Sequence, residues 1–210
     1  MAQPKYRIAT IGSHSALQIF KGAHDEGFKT IAICKKGSER PYKMFNAADE
    51  IISINSYKDF VKIQNQLIKK NAIVIPHGSF VTYMGYQEVE KLKVLYYGNK
   101  KILKWESDRY LERQWLKNAG FKVPLLFDKP KDIDRLVIVK FMGAEGGRGY
   151  FLAKNEQDFN KKIKPYKLRK YVIQEYIIGV PLFIHYFYSS LTNEIEIMGC
   201  DIRYESNVDS

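Results

Sequence analysis

The stretch YRIATIGSHSALQIFKGAHDEGFKTIAIC, residues 6–34, constrains the fold more than any other part of the chain. Tyr6 to Ile11 reads as an apolar strand, Ala16 to Glu26 as an amphipathic helix, and Thr30 to Cys34 as a second apolar strand. A strand, helix and strand in so short a run pair as parallel neighbours through a right-handed crossover. The turn between the first strand and the helix is Gly12-Ser13-His14-Ser15. A dinucleotide-binding turn would carry two further spaced glycines, and they are absent. The turn therefore predicts a ligand other than a dinucleotide.

The alternation continues. DEIISI (49–54) reads as a strand, and SYKDFVKIQNQLIKKN (56–71) as a helix with Ser56 as its cap. AIVIPHGSF (72–80) is a strand entering a loop, and VLYYG (94–98) is another short strand. Strands separated by helices predict an α/β fold with a parallel, doubly wound sheet. Ligands of such sheets lie outside the carboxyl ends of the strands. GSHS and PHGSF both fall at such ends, and both are expected to face one crevice.

Past residue 100 the pattern changes. SDRYLERQWLKNAGFKVP (107–124) predicts a helix starting at Ser107 and stopping at Gly120. RLVIVKFMGAEGGRGYFLAKN (135–155) predicts a strand ending in Lys140, a glycine-rich loop and a returning strand. DFNKKI predicts a helix, and KYVIQEYIIGVPLFIHYFYSS (170–190) and EIEIMGCDIRYES (194–206) predict long antiparallel strands. The chain stops just after a strand, which reads as an incomplete last lobe.

Composition excludes several classes. The most apolar window, YVIQEYIIGVPLFIHYFY, contains Gln174, Glu175, Gly179, Pro181 and His185, a load that a span of about 20 residues would not carry. No leader pattern precedes the first strand, and the expectation is a soluble, cytoplasmic protein without a membrane. Cys34 and Cys200 form no CxxC pair and read as two reduced core thiols. The four histidines lack metal-ligand spacing. The net charge of +11 is spread along the chain, with one dense run, NKKIKPYKLRK. That run reads as a solvated face rather than a nucleic-acid groove, and a basic surface also suits anionic small substrates.

The order of elements from Lys104 to Glu175 carries the chemistry. Lysine ammonium groups at Lys104 and Lys140 can neutralise phosphate oxygens. A loop with Gly143, Gly146, Gly147 and Gly149 has no Cβ to block close approach, and its N–H groups can cradle an anion. A strand edge at Gln174, Glu175, Tyr176 and Ile177 offers backbone donors and acceptors to an adenine rim. Together these elements suit a nucleoside triphosphate. By themselves, a glycine-rich hairpin is an ordinary flexible loop, Ser13 or Ser15 a helix cap, Ser79 a loop residue, and His14 a packed side chain. The alternating Asp201, Arg203 and Glu205 read as a ladder of surface charge or as one wall of a polar cleft.

In that order the elements resemble the ATP-grasp superfamily over nearly the whole chain. The resemblance implies a Rossmann-like domain (1–100), a small ATP-grasp lobe with the glycine-rich loop (101–170), and the start of a second lobe (171–210). IGSHSALQIFKGAHDEGF, PHGSF, EYIIGVPLFIHYFYS and MGCDIRYESNVD together resemble the archaeal formate-dependent ligases of purine synthesis. Those enzymes join formate to 5-aminoimidazole-4-carboxamide ribonucleotide at the expense of ATP. The resemblance implies ribonucleotide contacts at His14, Ser79 and Asn207; the turn adds Ser13 and Ser15 as candidates, and Arg203 is read from its charge as a phosphate partner. It implies ATP contacts at Lys104, Lys140, Gly143, Gly146, Gly147 and residues 174–177. Magnesium or manganese is the implied metal, with its carboxylates outside this chain, and a homo-oligomer is the implied assembly. GVPLF departs from the pattern, having no acidic residue for the ATP ribose. Two other readings stay open: a ligase for another carboxylate and amine, and a non-catalytic nucleotide binder.

Overall fold

The structure is a computed structural model that describes residues 5–13, 15–141, 150–166 and 169–202. The chain divides into two compact units, Met1–Lys122 and Val123–Ser210.

The first unit runs β1 (Arg7–Ile11), α1 (Ala16–Asp25), β2 (Lys29–Lys35), α2 (Arg40–Met44), β3 (Glu50–Ile54) and α3 (Phe60–Lys69). It continues through β4 (Ala72–Val74), α4 (Phe80–Met84), α5 (Tyr86–Glu90), β5 (Leu95–Tyr96), α6 (Ile102–Ser107) and α7 (Arg109–Asn118). All five strands are parallel, in the order β3-β2-β1-β4-β5. Burial on both faces explains the unbroken apolar run of β2, where Thr30 to Cys34 are all buried. One core joins Ile11, Ile31, Phe60, Leu67 and Phe80, and a second joins Ala16, Phe20, Ala32, Cys34 and Tyr42 on the opposite face. Strand order reverses at β1, which pairs with β2 on one side and β4 on the other. A doubly wound sheet opens its ligand crevice at that reversal.

Local chemistry accounts for the ends of these elements. Ser56 and Asp59 form a reciprocal capping box on the 3₁₀ turn that leads into α3. The predicted start of the linker helix shifts by one residue. Asp108, extended at φ −115°, accepts from the Tyr110 and Leu111 N–H groups, whereas Ser107 is the last residue of α6. Lys104 lies in the short α6 and, as expected, precedes the linker helix α7.

The second unit runs β6 (Leu126–Phe127), β7 (Val137–Phe141), β8 (Tyr150–Ala153), α8 (Glu156–Lys162), β9 (Tyr171–Glu175), β10 (Leu182–Ser189) and β11 (Glu194–Ile202). The first four strands form an antiparallel sheet in the order β6-β9-β7-β8. One face packs Val137, Val139, Ala153 and Ile173 against Phe159 of α8 and Ile133. The predicted long strand over 170–190 is two strands in different sheets. β9 ends at Glu175, and Pro181, which has no N–H to donate, precedes β10. β10 and β11 pair only with each other among the described residues, and nearly every residue of this hairpin is exposed. Cys200 lies on it and is exposed, so only Cys34 is a core thiol.

Candidate functional site

Within the first unit, the ends of β1 and β4 come together as the two motifs predict. The Ser13 hydroxyl is 2.8 Å from the Tyr83 hydroxyl, and the Tyr57 hydroxyl donates to the Gly12 carbonyl at 3.0 Å. The two tyrosine rings stack with centroids 4.6 Å apart. From the other loop, His77 Nε2 lies 3.0 Å from the Ile11 carbonyl oxygen, and the Ser79 N–H points at His77 Nδ1 at 3.3 Å. The buried Thr10 hydroxyl adds a third tie, donating to the Ile75 carbonyl at 2.7 Å. Three side chains that sequence reasoning passed over, Tyr57, His77 and Tyr83, therefore hold the turn.

Gly12 is required at this turn by close approach. A Cβ there would lie 2.7 Å from Cys34 Sγ and 2.9 Å from Tyr42 Cε2. Burial, with a smaller contribution from Glu39, pushes the Cys34 thiol up to about 12, so it serves as packing and not as a nucleophile.

Ser15 and Ser79 stand at the N-cap positions of α1 and α4, yet neither side chain makes a capping bond. The cap reading of Ser15 therefore fails. His14, Arg203 and Asn207 lie outside the described residues. Gly78 of the PHGSF loop also lines a cleft of about 460 Å³, together with Thr82, Gly85, Tyr86, Glu106 and Ser107. Lys104 is exposed on the same short helix as Glu106 and Ser107.

In the second unit, register settles which candidates share a face. Lys140 pairs with Val172 and Tyr150, and Ile138 pairs with Gln174 and Leu152. Directly paired residues project to one side of a sheet. Lys140 and Gln174 thus share the face opposite the core, with Ile138, Val172 and Leu152 between and beside them. A cation and an amide on a sheet face otherwise lined by Ile138, Val172 and Leu152 suit a ligand with a flat base and a phosphate tail. Gly143, Gly146 and Gly147 lie outside the described residues.

The predicted strand edge at Gln174 needs correction, because β9 is flanked on both sides and Gln174 pairs with both Leu126 and Ile138. The Glu175 N–H donates to the Leu125 carbonyl and the Tyr176 N–H to the Leu136 carbonyl. Backbone donors for a base are left to Ile177 and beyond. The Glu175 carboxylate accepts from the Leu125 N–H at 3.0 Å and from Arg135 Nη1 at 3.1 Å. These two bonds, the backbone one first, hold it below the usual carboxylate range. On the hairpin, Asp201 pairs with His185 across the strands at 2.7 Å.

Among the described residues, no three carboxylate, imidazole or thiolate groups converge to hold a metal ion. No helix among them is long and apolar enough to cross a membrane.

A parallel α/β unit carrying a turn-lined crevice, followed by an antiparallel sheet with a lysine on its open face, defines an ATP-grasp fold. Solved structures agree. N5-carboxyaminoimidazole synthetase from Staphylococcus aureus, complexed with ADP, superposes with a TM-score of 0.79 over 99% of this chain and 57% of that one, at 22% identity. The IMP biosynthesis protein PurP from Thermococcus kodakaraensis superposes with a TM-score of 0.71 at 30% identity, over 94% of this chain and 59% of that one.

Residues 8–127 match the family model described as a protein of unknown function, DUF1246, and the chain belongs to that family. Residues 151–210 match a domain of unknown function, DUF1297. A curated relative from Pyrococcus abyssi is 54% identical over 215 residues, which cover 97% of this chain and 61% of the relative. It is named 5-formaminoimidazole-4-carboxamide-1-(beta)-D-ribofuranosyl 5'-monophosphate synthetase. The chain thus spans about three fifths of the length of the curated relatives it matches.

Proposed function

We infer that this chain belongs to an ATP-dependent carbon–nitrogen ligase that formylates 5-aminoimidazole-4-carboxamide ribonucleotide with formate. The observation that carries the reading is the joining of GSHS and HGSF at the sheet reversal, in a chain 54% identical to a synthetase named for that product. The ribonucleotide binds at the β1 and β4 turns through His14 and Ser79, with Ser15 beside them; Asn207 and Arg203 are further contacts proposed from the sequence alone. Ser13 acts indirectly, because its hydroxyl meets Tyr83. ATP lies on the open face of the second unit's sheet, near Lys140 and Gln174, with the loop at Gly143, Gly146 and Gly147 over its phosphates. Ile177 supplies the backbone donor for the base, and Lys104 is a further ATP contact proposed from the sequence resemblance alone.

Formate is a poor acyl donor because oxide is a poor leaving group. Attack of a formate oxygen on the γ-phosphorus releases ADP and leaves formyl phosphate. The exocyclic amine then attacks the formyl carbon, phosphate departs, and the nitrogen loses a proton. No residue acts as a covalent nucleophile. The protein positions the reactants, excludes water from the anhydride and neutralises charge on the phosphoryl group. Magnesium or manganese fits the family's chemistry. The described residues hold no ligand set for it, and no step above is assigned to it.

The test is ADP release by the protein with ATP, formate and the ribonucleotide. Release should require both co-substrates, and release without them would overturn the reading. Activity with a different carboxylate and amine would favour a related ligase instead.

A further inference from the structure

His77 lies outside the contacts proposed above, yet its ring reaches backbone atoms at both turns of the crevice, the Ile11 carbonyl and the Ser79 N–H. We propose that His77 is a positioning residue that locks the two ribonucleotide-binding turns together as a neutral imidazole of a single tautomer. A carbonyl oxygen can only accept, so Nε2, 3.0 Å from the Ile11 oxygen, carries the proton. A backbone N–H can only donate, so Nδ1, 3.3 Å from the Ser79 nitrogen, is bare. Both partners are backbone atoms, one from each turn, and they are 66 and 2 residues away in sequence. The ring also meets the Phe80 ring edge-to-face, at 6.2 Å between centroids.

This geometry has a consequence for anion binding. The Ile11 carbonyl accepts from the Ser13 N–H at 2.9 Å as well as from His77, and the Gly12 carbonyl accepts from Tyr57. Two acceptors that would repel a phosphate at the turn opening α1 are thereby satisfied from within the protein. The same ring also sets the HGSF ligand loop, because the N–H of its third residue, Ser79, is tied to it. Loosening His77 should therefore weaken a phosphate-bearing ligand without opening the core.

The inference rests on the ribonucleotide reading of the crevice, and the probes separate the two. Ribose 5-phosphate carries the part common to every ribonucleotide. The 210-residue chain and three variants are titrated calorimetrically with ribose 5-phosphate, the aminoimidazole carboxamide ribonucleotide and AMP. His77→Phe keeps ring volume and the Phe80 contact but deletes both hydrogen bonds. His77→Asn retains an acceptor near Nδ1, and His77→Gln retains a donor near Nε2. The expected result is an affinity loss of about tenfold or more for His77→Phe, equal for ribose 5-phosphate and the ribonucleotide. His77→Asn and His77→Gln should each recover part of that loss while melting close to the unmodified chain. Wild-type affinity in His77→Phe would overturn the proposal. So would affinities that merely follow the melting points across all three variants. A wild-type chain that binds ribose 5-phosphate but prefers AMP contradicts the substrate reading alone. One that binds none of the three probes contradicts both.

Discussion

At Gly12 a single methyl group decides whether the crevice turn can form. The space that a Cβ would enter is filled by Cys34 Sγ and the Tyr42 ring, both in the buried cluster under α1. Overpacking a closed site of this kind costs about 1–3 kcal/mol. Gly12→Ala should lower the urea-unfolding free energy by that amount, and Cys34→Ala should restore part of it in the double variant. Additive losses would show that the thiol is not the obstacle. Other residues divide between those legible in sequence and those settled only by contacts. Gly12 could be singled out because it follows directly on a buried strand at the turn into α1, and Ser79 through the resemblance of its PHGSF loop. Tyr57, His77 and Tyr83 could not. Their partners lie 45, 66 and 70 residues away, and an isolated tyrosine or histidine gives no sign of so distant a contact.

Among the elements, the base of the first sheet is tied by one carboxylate. Asp49, just before β3, accepts from Lys29 Nζ, His24 Nε2, and the Thr30 N–H and hydroxyl, so it links α1, β2 and β3. Partial burial pushes its carboxyl up, but the hydrogen bonds from Lys29, His24 and Thr30 outweigh burial and hold it well below the usual range. A depressed carboxyl contributes stability above its unfolded pKa, and that stability is lost as pH falls through the folded value. Asp49→Asn should therefore cost about 1–2 kcal/mol at neutral pH. The gap to the unmodified chain should begin to close below about pH 4 and shrink further on acidification. Chemical denaturation at a series of pH values reads this, and a gap that widens in acid contradicts it. The parallel strands were legible because burial on both faces demands unbroken apolar runs. Helix ends were less so. Ser107 and Asp108 are both good caps, and only backbone geometry selects Asp108. The break between β9 and β10 was hidden because β-forming residues continue on both sides of Gly179-Val180-Pro181.

For the whole molecule, the net charge of +11 suits anionic small ligands. The proposed function assigns one ligand to each unit. One is at the sheet reversal of the first unit, and the other is on the open side of the second unit's sheet. The turns proposed for the first were legible in sequence as GSHS and HGSF, whereas the glycine-rich stretch proposed for the second lies outside the described residues. The pairing of Lys140 and Gln174 on one face needed the β7–β9 register. If the two faces take different ligands, a substitution on one should leave the other's ligand untouched. The most direct measurement is calorimetric titration of the Ser79→Ala chain with the aminoimidazole carboxamide ribonucleotide and, separately, with ATP. Loss of one hydrogen bond to a charged group costs about 1.5–3 kcal/mol, or roughly tenfold to a hundredfold in affinity. The ribonucleotide should weaken by that factor and ATP should bind as before. ATP binding that falls while the ribonucleotide is unaffected would contradict the assignment of the crevice.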